Sequence, residues 1–453
     1  MRLVQGILAA VAGTAFIADP AHAQSVAATD PGPAPPADRD RRPPVPTGEQ
    51  PQPPQRHSAR TVAGAPTSDR ASGIARPEPI AGEGRRAIAR GLLVLPRVAF
   101  WAVNAPIRAG SWVSERYQVP LRVREALFNP EGTAGLVPLA WAETGYGAGG
   151  GARFFHRDVL GRGEHLVAAV SHGGRTEPGA ALWIDTGHRL GERLRLRADG
   201  RFEERPRDRF HGIGNADEVE EVRFQQRVGL LGAAGELRVA GPLAVRLSSE
   251  ARWRRIDAGE DRTLGTHQVE LALDTRDRPS RAEPPGPRAT GLAVSAFAGL
   301  ASDPVHARLG GQASAHLPLG GRQRILVLRL LADGVSGSLD EIAFVDLPSL
   351  GGTLDLRGYP ADRFRDRARA LTSAEYRFDL GDSFGAFLFA DAGRVLSHPS
   401  QLADGGLRVG YGGGLDLRRG DRLLGRLSLA SSIDGGLFVS AAFDPLGEPE
   451  GRR

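Results

Sequence analysis

The sequence predicts an all-β chain, a closed transmembrane antiparallel β-barrel of about 16 strands with a lumen-inserted loop and a short helical N-terminal segment. Three observations lead there. Segments of roughly ten residues with period-two alternation recur from about Gly135 to Phe443, the length a strand needs to cross a bilayer at a tilt. One parity of these segments is thinly apolar, in Leu, Val and Ala with occasional Phe or Trp, while the other carries full charges of both signs. The composition, 60 Gly, 6% aromatic residues and no Cys, suits an extensive sheet with many tight turns and rules out disulfides and thiolate metal sites as supports.

The elements follow in order. Residues 1–23 read as a signal peptide: Arg2, an apolar run from Leu3 to Ala18 too short to span, and Ala21-His22-Ala23 in the small-x-small pattern of a cleavage site after Ala23. Residues 24–84, rich in Pro, Ala, Arg and Asp, lack the apolar content to offset the entropy of ordering and read as a disordered Pro-rich tether. Residues 85–130 form a short amphipathic helical segment. Its apolar stretch carries Trp101 and Trp112 and is broken by Pro96 and Pro106, so a single straight membrane helix is excluded. Whether it lies on the membrane surface or caps the barrel stays open. The barrel runs over 131–443, and 444–453 is a C-terminal tail.

Inside the barrel region, QVELALDTR at 268–276 sets Val269, Leu271 and Leu273 against Gln268, Glu270, Asp274 and Arg276. LAVRLSSEARWR at 243–254 sets Leu243, Val245, Leu247 and Trp253 against Arg246, Glu250, Arg252 and Arg254. RLRLR at 193–197 alternates outright; ARLGGQASAHL at 307–317 repeats the scheme, and AEYRFDL at 374–380 sets Tyr376, Phe378 and Leu380 against Glu375, Arg377 and Asp379. A water-soluble β-sandwich alternates too, but it needs large aromatic residues to fill its core. A thin apolar face suits lipid, which requires no jigsaw fit, and a charged face suits a watery lumen.

Charge and motifs exclude other classes. All 58 basic residues are Arg, spread along the chain among 53 acids for a net +5, which is no concentrated nucleic-acid surface. The eleven His form no H-E-x-x-H, and no G-x-S-x-G elbow or P-loop is present. His211 in FHGIGN is a loop residue beside Gly, and Asp274, Arg276 and Asp277 are what a charged strand end looks like. The chain therefore reads as a non-enzyme with no cofactor and no metal.

One segment breaks the alternation: LGGTLDLRGYPADRFRD, at 350–366, is charged and irregular between strand-like stretches. In a wide barrel such a loop can fold back into the lumen, where an Arg at its tip meets inward-facing carboxylates; parity nominates Glu375 and Asp391. Leu356-Arg357-Gly358-Tyr359 resembles the [VL]-R-G-[FY] tip of the lumen-folded sixth loop in the bacterial surface-antigen superfamily of outer-membrane barrels, the BamA/TamA-like group. Phe389-Ala390-Asp391-Ala392-Gly393 is similar to its F-x-D-x-G wall motif, and Glu375 in SAEYRF to its intervening Glu. FHGIGN at 210–215, LALDTRDRP at 271–279 and GARFFHRDVLG at 151–161 add weaker similarities.

The resemblance implies a loop lock in which Arg357, Gly358 and Tyr359 dock on Glu375, Phe389, Asp391 and Gly393. It also implies a bacterial outer-membrane protein acting in protein or lipid assembly or translocation. Outer-membrane lipid, lipopolysaccharide and unfolded outer-membrane polypeptides are then the expected partners of a monomeric barrel; a passive channel or structural barrel plugged by the loop is the alternative. Two features depart from the family pattern. Residues 24–130 hold no βααββ alternation of a periplasmic POTRA module, which resembles the POTRA-less branch, and the chain continues past the terminal aromatic Phe443.

Overall fold

The computed structural model describes residues 127–444, apart from 188, 216–220, 258–260, 278–284, 322 and 405. The expected signal peptide and tether, nearly all of the amphipathic segment and the tail beyond Asp444 lie outside the described residues.

Eighteen strands run along the described chain. The first six are β1 (Ala134–Glu143), β2 (Gly147–Arg157), β3 (His165–Gly173), β4 (Thr176–Asp185), β5 (Leu194–Phe210) and β6 (Val222–Ala240). Next come β7 (Leu243–Ile256), β8 (Arg262–Asp274), β9 (Gly291–Ser302), β10 (Val305–Pro318) and β11 (Arg324–Val335). A long loop carrying β12 (Ser349–Leu350) and β13 (Phe364–Arg365) precedes β14 (Ala368–Asp379), β15 (Phe384–Leu396), β16 (Arg408–Arg419), β17 (Arg422–Ser432) and β18 (Phe438–Phe443). Sixteen of these, all but β12 and β13, form one closed antiparallel barrel in which each pairs with its sequence neighbours and β18 returns to β1. Closure gives every barrel strand a partner on each side, the condition for spanning a bilayer with strands, with β1 meeting β18 over only part of its length.

The faces sort as parity dictates. Leu247, Val269, Leu271, Leu300 and Leu388 are at least half exposed on the outer wall. Arg153, Glu270, Glu375, Asp391, Asp416 and Arg418 are buried inside. This inverts a water-soluble sheet: the apolar side is bare because acyl chains are its solvent, and the ionic side is enclosed because charges must find counter-charges there.

Three features go beyond the sequence reading. Strands β5 and β6 have 17 and 19 residues, against the roughly ten expected. Their extra length leaves the lipid zone: Arg223 and Arg227 share the outer parity of Leu231 and are exposed. The lumen also holds a dry cluster. Leu350, Leu356, Tyr359 and Phe364 of the loop pack on Leu331, Leu371 and Val395 of β11, β14 and β15, so the loop brings apolar residues as well as charge into the barrel. Finally, β1 pairs with β2 over its full length, Ala134 to Glu143, but with β18 only from Ala140 to Glu143.

Candidate functional site

The loop between β11 and β14 docks its tip on the inner wall. Leu356 turns the chain with φ +58°, a left-handed conformation that costs a non-glycine residue about 1–2 kcal/mol. It is fully buried in the dry cluster, and that packing holds the strained turn in place. The turn aims Arg357 at β14 and β15. Its backbone N–H donates to Asp391 Oδ2 at 2.9 Å, while Nε and Nη2 fork onto the two oxygens of Asp391 at 2.8 Å each. Nη1 donates to Glu375 Oε2 at 2.5 Å. The guanidinium lies 3.6 Å from the ring centre of Phe389, so the wall motif supplies a carboxylate and an aromatic face together.

The acids are fixed by further partners. Ser373 Oγ donates to Asp391 Oδ1 at 2.6 Å, and Arg377 Nε to Glu375 Oε1 at 2.7 Å. Arg426 on β17 forks onto Asp416 on β16 at 2.8 and 3.0 Å and stacks 4.2 Å from the ring of Phe387. Arg357, Arg377 and Arg426 thus face Glu375, Asp391 and Asp416, three positive charges against three negative, a balance that makes the burial of Arg357 and the three acids tolerable.

Glycines allow the close approach. Gly358 has φ +96°, and a Cβ there would strike the carbonyl oxygen of Ser431. A Cβ on Gly410 of β16 would occupy the place of the Arg357 carbonyl oxygen, and one on Gly393 would press within 3.0 Å of Leu350 and of the Ala370 carbonyl. Tyr359 donates its hydroxyl to Asp434 at 2.8 Å and stands edge-on to Phe364, 5.1 Å between ring centres. Burial, and then the Asp434 carboxylate, pushes the Tyr359 hydroxyl up to about 12, so it stays a donor at any ordinary pH.

All seven residues expected from the motifs therefore meet at one place: Arg357 on Glu375, Phe389 and Asp391, Gly358 and Tyr359 beside β16 and β17, and Gly393 under Leu350. The sequence reading missed a second tether. Arg175, in the turn between β3 and β4, donates to Asp208 and to Asp362 of the loop, each at 2.5 Å, and Arg365 adds a contact to Asp362 at 3.1 Å. Burial alone would push the Asp362 carboxyl up, but Arg365 and Arg175 outweigh it and hold the group well below the usual carboxylate range. FHGIGN forms a third tether. Gly214 donates to the Arg365 carbonyl at 2.7 Å, and the Asn215 side chain exchanges two hydrogen bonds with the backbone of Val395. His211 is buried beside them, its pKa lowered by burial and then by Arg363, with no partner for Nε2 among the described residues. Arg276 simply forks onto Asp274 at the end of β8, at 3.0 and 2.8 Å, and Asp277 accepts from Thr290. Ser373 was legible in principle, since it shares the inner parity of Glu375; Asp362 and Arg175 carried no local signal.

Residues 159–434 match the model of the Omp85 superfamily domain. Among solved structures, BamA from Haemophilus ducreyi lacking POTRA domains 1-3 is similar over 69% of this chain and 70% of its own, at 12% identity and a TM-score of 0.52. CdiB from Acinetobacter baumannii and CdiB from Escherichia coli each align with 68% of this chain at 12% identity, with TM-scores of 0.45 and 0.46. The chain spans 59% and 62% of those two proteins. No curated protein matches it.

Proposed function

The chain belongs to the Omp85 superfamily, and on that premise we propose that it acts in the assembly or translocation of protein or lipid at the bacterial outer membrane, through the seam between β1 and β18. Family and barrel together imply that membrane. The observation that carries the reading is the shortness of the seam. Among the described residues four residue pairs, Ala140–Phe443 to Glu143–Ser440, hold β1 to β18, with Thr144 bonding Val439 just beyond, whereas ten hold β1 to β2. On the terminal side of Ala140, β1 has no strand partner toward β18 among the described residues. Each lost pair costs a ladder hydrogen bond in a medium that offers no replacement, so the shortest joint is where a barrel parts first. The loop lock lies on β14 to β17, beside that joint, and keeps the rest of the wall braced while the seam moves.

The test uses the absence of native Cys. A disulfide between Ala142→Cys and Ala441→Cys, partners in the seam register, should abolish complementation of a deletion strain, read as outer-membrane protein and lipid composition, and reduction should restore it. A locked barrel that complements like the reduced one defeats the seam mechanism. A deletion that leaves both compositions unchanged, with large stable conductance in planar bilayers, leaves the passive channel as the better reading.

A further inference from the structure

Beyond the strand end at LALDTRDRP, the connection from β8 to β9 returns across the barrel. Its base is pinned at the wall. Arg276 forks onto Asp274, the Asp277 backbone N–H donates to the Thr290 carbonyl at 3.0 Å, and Asp277 accepts from the Thr290 hydroxyl at 3.3 Å. The described stretch 285–290, PGPRAT, carries Pro285 and Pro287, whose fixed φ and missing N–H keep it from joining a sheet. It lies at the end of the barrel opposite the root of the docked loop, where the short turns β6–β7, β14–β15 and β16–β17 mark the periplasmic side.

This stretch meets the far wall. Arg288 Nη2 lies 2.9 Å from Asp379 at the end of β14, and its Nη1 lies 3.8 Å from Asp421 in the turn between β16 and β17. Arg377 Nη1 donates to the Pro287 carbonyl at 3.4 Å, and a Cβ on Gly286 would strike the Asp421 carbonyl oxygen. Along the wall β10, β11, β14 and β15 stand between β9 and β16, so the contacts with Asp421 cross the mouth instead of following its rim. What lies beneath is dry for a strand end: Arg418 and Asp379, 2.6 Å apart, have side chains only 4% and 13% exposed, and Ala289 is buried. No residue of 285–290 belongs to an apolar cluster among the described residues, so this seat, unlike that of the docked loop, is polar.

We infer that residues 285–290 are a strap, seated by Arg288 and able to lift, that covers the periplasmic side of the lumen beneath the loop lock. Lifting it exposes little apolar surface, and water replaces each contact that it gives up, so the seated and lifted forms are close in free energy. The lock shares a residue with the seat. Arg377 holds the Pro287 carbonyl with Nη1 and Glu375 with Nε, and Glu375 in turn accepts from Arg357. The strap stands on its own contacts and does not depend on how the seam behaves.

The absence of native Cys gives a direct test. In the full-length barrel in detergent, shown to be folded by its heat-modifiable migration, Ala289→Cys should react slowly with a bulky maleimide, while Asp382→Cys in the exposed β14–β15 turn reacts fast. Adding Arg288→Ala should speed labelling at 289 by roughly ten-fold, since the rate tracks the population of the lifted strap, and leave labelling at 382 unchanged. Arg288→Lys, which keeps the cation, should label closer to the parent than to Arg288→Ala. The Ala289 amide, which donates to the Gly286 carbonyl at 3.0 Å, gives a second readout that needs no thiol: its hydrogen exchange should also speed up in Arg288→Ala. Labelling at 289 as fast as at 382 in the parent, or labelling and exchange both untouched by Arg288→Ala, overturns the inference.

Discussion

The wall from β11 through β17 and the wall from β5 through β7 carry the same inward-facing alphabet of Arg, Asp and Glu, and they use it in different proportions. In the first, most pairs join different elements: Arg357 of the loop to β14 and β15, Arg369 to Asp333 across β14 and β11, Arg426 to Asp416 across β17 and β16, and Arg418 to Asp379 at 2.6 Å, with Arg377 and Glu375 on β14 the same-strand exception among them. In the second, many pairs run along one strand, Arg197 with Asp199, Arg201 with Glu203, Arg238 with Glu236 and Arg252 with Glu250, beside others that join elements, such as Arg195 with Asp185 of β4, Arg227 with Glu204 of β5 on the outer face and Arg254 with Asp346 of the loop. The first wall carries the docked loop and its dry cluster. A charge pair specifies architecture only when its partners belong to elements that could otherwise separate; two residues apart on one strand, it merely keeps both ions solvated by each other.

The sharpest way to break the contrast is Arg357→Ala. It removes the fork on Asp391 and the contact to Glu375, leaving two buried carboxylates short of a partner, a loss of about 3–5 kcal/mol by analogy with other buried pairs. The sixteen-stranded wall keeps its ladder, so the barrel should still fold while residues 350–366 become cleavable in limited proteolysis. An unchanged cleavage pattern would show that the dry cluster and the other tethers hold the loop without Arg357.

A smaller effect is expected at the second tether. Asp362 has φ +57°, which Asn adopts as readily as Asp, so Asp362→Asn removes charge without straining the backbone. Because the folded carboxyl is held below its ordinary value by Arg365 and Arg175, its contribution is complete above the unfolded value of about 3.9 and fades as pH falls below it. Wild type and Asp362→Asn should therefore differ in loop protection at neutral pH and converge in acid, measured by proteolysis with an acid-active protease or by hydrogen exchange. A gap that persists at low pH would mean the carboxylate's charge is not what matters.

The barrel was legible because lipid reverses a soluble protein's pattern without erasing it: Leu247, Val269 and Leu271 on one parity and Glu270 and Arg252 on the other state the two faces within single strands. Arg357, Glu375 and Asp391 were legible because a charge placed at a fixed parity must point inward, and because the tip and wall motifs matched a known family. The left-handed turn at Leu356 was not, since a leucine gives no local signal for it, and the packing that holds it comes from Leu331, Leu371 and Val395, far away in sequence. Arg175 with Asp362, Asn215 with Val395, and the place kept on Gly410 for a loop carbonyl are likewise products of closure: they exist only once β3, β5, β15 and β16 are brought around one lumen.

The smallest effect belongs to the other wall. Arg238 and Glu236 sit two residues apart on β6 with 3.8 Å between their charged atoms, both partly exposed. Such a pair is solvated and geometrically loose, and the strand that carries both ends is already fixed by its ladders to β5 and β7. Arg238→Gln should change unfolding in urea by no more than about 0.5 kcal/mol and leave loop protection untouched. A loss approaching that of Arg357→Ala would mean that charge pairs along a strand also carry the architecture, and the distinction between the two walls would fail.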